Sequence, residues 1–252
     1  MDRTTTTVRL FALVIAGVMM AGCGQSTEGT ATRTDGTVTK STSQSPQPPN
    51  GYAWLNSVMP TSEELSKAAG YQVTIDEPPT VHGGDFLRDT IVGSRDVTNI
   101  ECLGVVSPFE QRAYQDAPVV AITYATEAAV TFGAAALSTD AEARQLFDSF
   151  VAQWQQCLGK TLVKIDGVGT FENKITAVVA GHDVISAVVG LTSDSPTGVP
   201  VRVERAIGVA KDCIVEADVG ITEPPSGPPG PGTNGAADLV QSMLAKVEAA
   251  RP

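Results

Sequence analysis

Cys23 follows Met20-Ala21-Gly22 at the end of a short apolar run, and a thiol placed there can accept a lipid. Arg3 and Arg9 precede the run. A basic start, an apolar centre and small residues before a cleavage point make an export signal. The run is shorter than the roughly 20 residues that cross a bilayer. Met20-Ala21-Gly22-Cys23 resembles a lipobox, with Met20 where Leu is usual. Residues 1–22 are therefore expected to be removed. Cys23 then becomes the first residue and carries diacylglyceryl and palmitate-type chains. Two acyl chains hold a protein on a membrane far better than one, at about 0.8 kcal/mol per buried methylene.

Three further cysteines follow: Cys102, Cys157 and Cys213. An exported chain folds where disulfides persist. Three is odd, so at most one internal bridge forms and one thiol is left over. Cys213 falls on the apolar side of its strand pattern, which predicts a buried, inert thiol; a reactive one needs exposure and nearby positive charge.

Only His82 and His182 can serve as imidazole bases or ligands. His82 and Asp85 share a loop, but two donors do not make a metal site. His182-Asp183 falls at a hairpin turn after Gly181. As a general base, His182 needs a nucleophile within hydrogen-bond reach; a Ser or Asp within about 3 Å would favour an enzyme. No Gly-x-Ser-x-Gly elbow, His-Arg-Asp loop or Asp-Phe-Gly occurs, and no Gly-rich phosphate loop either. Catalytic residues, metal ligands and cofactors are accordingly expected to be none. Arg205 breaks the apolar alternation of its strand and is a candidate for holding an anion in a cleft. Phe150 and Trp154 are expected in the core.

The elements that must position these groups are legible in outline. Residues 24–50 contain Thr, Ser, Gln and Pro, with Ala31 and Val38 the only apolar side chains. Such a segment cannot bury enough surface to offset its ordering entropy. Residues 23–50 are thus expected to form a lipidated tether, and residues 51–252 one folded domain. Pro60 and Thr61 start a helix that Gly70 ends. Residues 76–96 read as loop. Residues 119–126 and 129–137 read as adjacent strands. Thr139-Asp140-Ala141-Glu142 has the pattern of a capping box, opening a helix over 140–158 with Ala143, Leu146, Phe147, Phe150, Trp154 and Cys157 on one face. Strands follow at 178–180, 185–191, 201–209 and 213–221. Residues 223–232 form a Pro/Gly connector, and a closing helix runs from Ala236. Cys213, Val215, Ala217 and Val219 face one way, Glu216 and Asp218 the other; such alternation predicts one buried and one wet face. The order predicts an α+β fold, a twisted antiparallel sheet flanked by helices on one side, with a cleft.

Charge restricts the partners. The chain carries 17 basic and 28 acidic side chains, a net charge of −11. Without residues 1–22, which hold Asp2, Arg3 and Arg9, the charge is −12. Such a chain gains nothing from counterion release on nucleic acid. Charge does not draw it to an anionic membrane either. The lipid must do the anchoring.

Several stretches together resemble a known family. They are residues 61–70, Glu101-Cys102-Leu103-Gly104-Val105 with Tyr114, Phe150-x3-Trp154-x2-Cys157, Glu204-Arg205-Ala206, residues 213–219 and the Ala-rich closing helix. In this order they resemble the PknH-like extracellular domain family, the sensor domain of a mycobacterial Ser/Thr kinase together with stand-alone mycobacterial lipoproteins. The resemblance covers about residues 54–250. It implies an antiparallel sheet flanked by helices, a ligand cleft, and a disulfide between the positions of Cys102 and Cys157. A second family bridge has no counterpart here, since residues 158–175 contain no cysteine.

The expected function is a lipid-anchored extracytoplasmic module of the cell membrane that binds or senses an envelope ligand, with a protein partner as a further candidate. The alternatives are an envelope hydrolase or transferase using His182 or His82, or an envelope lipid carrier.

Overall fold

A computed structural model describes residues 51–115, 117–194, 201–222 and 234–251. The expected export signal, lipidation at Cys23, tether and Pro/Gly connector fall outside the described residues. The described residues form five α-helices and eight strands: α1 (Leu55–Val58), α2 (Ser62–Ala69), β1 (Asp96–Val97), α3 (Leu103–Val106), β2 (Val119–Glu127), β3 (Val130–Leu137), α4 (Asp140–Cys157), β4 (Thr161–Ile165), β5 (Thr170–Ala180), β6 (Val184–Ser193), β7 (Val201–Ala210), β8 (Cys213–Thr222) and α5 (Gly235–Ala250).

The strands form one antiparallel sheet in the order β1-β4-β5-β6-β7-β8-β3-β2. This is the expected α+β class. Strands β4 to β8 make a meander, and the β2–β3 hairpin adds to its far side through β3 and β8. Tight turns close the hairpins at Ala128 and Lys211, whose φ angles are 53° and 51°.

Helices cover both faces, not one. On the first face α1, α2 and α5 bury Phe132, Ala134, Ala206, Cys213, Val215, Ala217 and Val219. On the second, α3 and α4 bury Ala135, Leu137, Ile185, Ile207, Val209 and Ile214 against Phe147, Phe150 and Trp154. Where α3 and α4 cover it, the expected wet face is dry because its charges neutralise one another. Arg205 and Glu216 are both 0% exposed and pair with each other. An ionic pair with full hydrogen bonding can be covered by a helix; a lone charge cannot.

The caps follow the sequence closely. Thr61 accepts a bond from the Glu64 amide, and the Glu64 carboxylate accepts one from the Thr61 amide. Glu64 also receives Lys246 and Ser242 of α5, so α2 and α5 are tied together at this corner. Burial works against ionising Glu64, but these donors outweigh it and hold its pKa at about 2. At α4 the Thr139 hydroxyl accepts from the Glu142 amide, as expected. The Glu142 carboxylate turns to that hydroxyl instead of the backbone. Close approach of α5 to the sheet needs Gly208, where a Cβ would come 2.6 Å from Val240 and 2.8 Å from Leu244.

Candidate functional site

Strand register places three polar side chains in a row on the second face. Thr131 of β3 lies opposite Asp218 of β8, and Asp218 lies opposite Arg205 of β7. Glu216 is two residues along β8 and shares the face. Paired residues of an antiparallel sheet point the same way, so this row is fixed by backbone pairing.

Arg205 is fully buried and makes four hydrogen bonds. Its Nε donates to the Val105 carbonyl at 3.3 Å and Nη1 to Ala217 at 3.0 Å. Its Nη2 donates to the Gly104 carbonyl at 3.2 Å and to Glu216 Oε2 at 2.6 Å. The guanidinium also lies 5.5 Å from the Trp154 ring. The other Glu216 oxygen accepts from the Tyr114 hydroxyl at 2.5 Å and the Phe109 amide at 3.2 Å. Burial, followed by the Glu216 charge, pushes the Tyr114 pKa well above its usual value, so this phenol stays protonated and donates. The expectation that Arg205 faces a cleft is therefore corrected. Its charge holds residues 104–114 to the sheet, because three carbonyls and a buried carboxylate surround it.

The disulfide between Cys102 and Cys157 fastens the same segment to the end of α4, as the family resemblance implied. Phe109 sits between these fasteners with φ at 55°, a conformation costly for a bulky residue. Its carbonyl accepts from the Arg88 amide at 2.8 Å, which brings residues 87–91 alongside. Glu110, also fully buried, accepts from the Thr90 amide at 2.9 Å and from the Thr90 hydroxyl.

Between these two loops and the sheet lies a cleft of about 380 Å³, lined by Arg88, Thr90, Ser107, Thr131, Lys164 and Asp218, with Asp89, Val106 and Pro108 at its sides. Arg88 is half-buried and has no ion pair among the described residues; its guanidinium carbon lies 5.8 Å from the Tyr124 ring. Asp89 is instead committed to Arg112 at 2.9 Å. The Asp218 carboxyl makes no hydrogen bond among the described residues. Burial pushes its pKa up from 3.8 to about 6, against the pull of Arg205 and Arg88. A perturbed carboxyl and a guanidinium without an ion pair facing one cleft mark it as the candidate functional site.

The sign of the Asp218 effect is testable. Its folded-state pKa is above the unfolded one, so between pH 4 and 6 the folded state holds a proton the unfolded state has lost. Stability from this group is full near pH 4 and is lost as pH rises through 6, by up to about 3 kcal/mol. Asp218→Asn is therefore expected to gain in Tm over the wild type as pH goes from 4.5 to 7. A pH-independent difference would refute the assignment.

The two histidines lie elsewhere. His182 Nδ1 is 2.7 Å from Asp183 Oδ1, but the ring is 88% exposed. Asp183 is committed to Arg144 at 2.5 Å, which holds its carboxyl below the usual range despite partial burial. His182 and Asp183, with Ser186, edge a depression of about 550 Å³ beside the start of α5. Asp183 thus satisfies the distance criterion as a chain neighbour. No hydroxyl or thiol is hydrogen-bonded to His182 among the described residues. His82 stacks on Phe86 at 3.7 Å, and its backbone pairs with Ile122. No group of three metal-type side chains occurs among the described residues. Cys213 is free and buried, its thiol pKa pushed up by burial. Sequence reasoning does not single out Arg88, Lys164, Thr131 or Asp218 as site residues. Arg88 falls in a stretch that reads as loop, and Asp218 reads as a wet-face residue. Two carboxylates at alternate positions of a strand, with an arginine on the strand before, are the signal the sequence offers.

These features define a disulfide-stapled α+β domain with a small polar cleft beside its central strands. The chain belongs to the PknH-like extracellular domain family, whose model matches residues 52–246. Among solved structures, the crystal structure of the extracellular domain of PknH from Mycobacterium tuberculosis is similar, with a TM-score of 0.61 at 19% identity. That match covers 77% of this chain and 95% of that one, and at this identity it bears on the fold. No curated protein matches the chain. No helix among the described residues is long and apolar enough to cross a membrane.

Proposed function

We propose that the mature chain is a lipid-anchored, extracytoplasmic sensing module that binds a small ligand in the cleft between Arg88, Lys164 and Asp218, without turning it over. The observation that carries this reading is the facing of an unpaired, half-buried Arg88 and a hydrogen-bond-free Asp218 across an open cleft. Among the described residues Arg88 has no ion pair and the Asp218 carboxyl no hydrogen bond, so a ligand can supply both without displacing a protein partner from either. The family supports an extracellular role. In this reading residues 1–22 direct export, Cys23 carries the lipid, and residues 24–50 link it to the domain. A protein partner reads the liganded state.

Native mass spectrometry of the full chain purified from its own host tests the cleft. A small-molecule adduct is expected on the wild type, reduced at least fivefold in Arg88→Gln. Equal adducts on both would remove the cleft from consideration. The anchor is tested separately. Cys23→Ser is expected to leave the chain soluble or unprocessed, and membrane retention of a correctly cleaved Cys23→Ser chain would refute lipidation.

A further inference from the structure

The polar cleft does not end at Lys164. A second hollow of about 180 Å³ continues from it, lined by Leu103, Leu162, Phe171 and Leu191, with Asn173 at its side. Thr90, Val106, Ser107 and Lys164 line both. Lys164 stands at the junction, its Nζ 5.3 Å from the Phe171 ring and 3.6 Å from Asp166. One end of this groove therefore presents Arg88, Lys164, hydroxyls and the carboxyls of Asp89 and Asp218, and the other presents aliphatic and aromatic carbon beside Asn173.

We propose that the groove takes an amphiphilic anion, its charged head between Arg88 and Lys164 and its apolar part along Phe171 and Leu191. This rests on the cleft being the ligand site. Charge at the polar end favours an anion. Arg88 has no ion pair among the described residues, Asp89 at the side of the cleft is paired with Arg112, and Lys164 is held only loosely by Asp166 at 3.6 Å, which leaves Arg88 as the uncompensated charge. Asp218 faces Arg88 and Arg205, with Glu216 two residues away; its raised pKa lets it meet the head as a protonated donor in mildly acidic conditions. Arg and Lys together suit a carboxylate or phosphate, since the guanidinium fork donates two bonds and the ammonium adds a point charge. At the other end the half-buried Phe171 and Leu191 present the apolar surface, backed by Leu103 and Leu162 of the core, with Asn173 at its side. A molecule that is all polar leaves this wall wet; one that is all apolar leaves Arg88 unsatisfied.

The test uses the full chain in phosphatidylcholine nanodiscs, with calorimetric titration of hexyl phosphate, hexanoate, inorganic phosphate and hexanol against empty discs. Hexyl phosphate or hexanoate is expected to bind at least tenfold more tightly than inorganic phosphate and hexanol. Arg88→Gln is expected to weaken the anionic amphiphiles tenfold or more. Phe171→Ala is expected to weaken them while leaving inorganic phosphate unchanged, with circular dichroism confirming the fold of both variants. Hexanol binding as well as hexyl phosphate, with Arg88→Gln silent, overturns the anionic head. Inorganic phosphate binding as well as hexyl phosphate overturns the apolar part. No binding by any probe overturns the amphiphile. In that case a host-derived adduct that Arg88→Gln still abolishes leaves the cleft a ligand site of another class, and its absence removes both.

Discussion

Arg205→Ala is expected to destabilise the domain by about 3–5 kcal/mol, because it leaves the Glu216 carboxylate buried without its cation. For a domain of this size that corresponds to a fall of about 10 °C in Tm. The loss has three parts. Glu216 keeps only the Tyr114 and Phe109 donors. The Gly104 and Val105 carbonyls lose the guanidinium that satisfied them. A void opens beside Trp154, where the guanidinium lay. Chemical denaturation monitored by tryptophan fluorescence measures the change, and a loss below about 1 kcal/mol would show that the pair is not what holds the segment. A triple replacement sharpens the test. Arg205→Met with Glu216→Leu and Tyr114→Phe removes every charge and the phenol together, and most of the stability is expected to return, since a buried pair is often no better than well-packed apolar residues. Ligand binding need not return with it, because Asp218 then loses the Arg205 field that helps set its protonation.

Removing the Cys102–Cys157 bridge as a Cys102→Ala, Cys157→Ala pair is expected to cost about 2–5 kcal/mol. The bridge joins residues 55 apart, and the chain-entropy model puts such a loop near about 4 kcal/mol. The loss is expected to concentrate in one place. Residues 103–108 run directly from Cys102 and supply the Arg205-binding carbonyls as well as Val106, Ser107 and Pro108 of the cleft. Their amides should exchange with solvent much faster in the variant, while those of β7 and β8 change little. Uniform loosening, or none, would show that the bridge only staples the chain and does not shape the cleft wall. Cys213 cannot take over either partner. It lies in the core under α5, and Cys102 and Cys157 lie in the core on the opposite face of the sheet.

That last point separates what can be read from residues from what cannot. Counting cysteines gives at most one bridge among three. The pairing comes from resemblance, and the physical reason for it is that the sheet stands between Cys213 and the other two. The apolar stripe of α4 and the cap at Thr139 are legible because helix periodicity and capping are local. The alternation of β7 and β8 is legible for the same reason, and with the helices it determines the α+β class. The strand at 161–165 and the first half of β5 are not legible. There apolar and polar residues mix without clean alternation, and their strand character comes from pairing with each other and with β1 and β6.

The stretches that carry the family resemblance meet in three dimensions for a reason the sequence does not state. Gly104 and Val105, Tyr114, Trp154 and Arg205 are the partners of a single buried network. Arg205 stands out in the sequence as an unusual residue on a strand, but its surroundings are not those of a cleft. Whether a charge on an alternating strand meets water, a ligand or a buried partner depends on what packs over it, and the segment over Arg205 lies about a hundred residues away in the chain. The cleft beside it, with Arg88, Lys164 and Asp218 drawn from a loop and two non-adjacent strands, likewise exists only once sheet register and the disulfide have brought them together. Sequence alone determined the export signal pattern, the acidic charge, the principal helices and strands, and the limit of one internal bridge. Tertiary structure decided which face each charge sees, because burial and pairing are properties of neighbours in space.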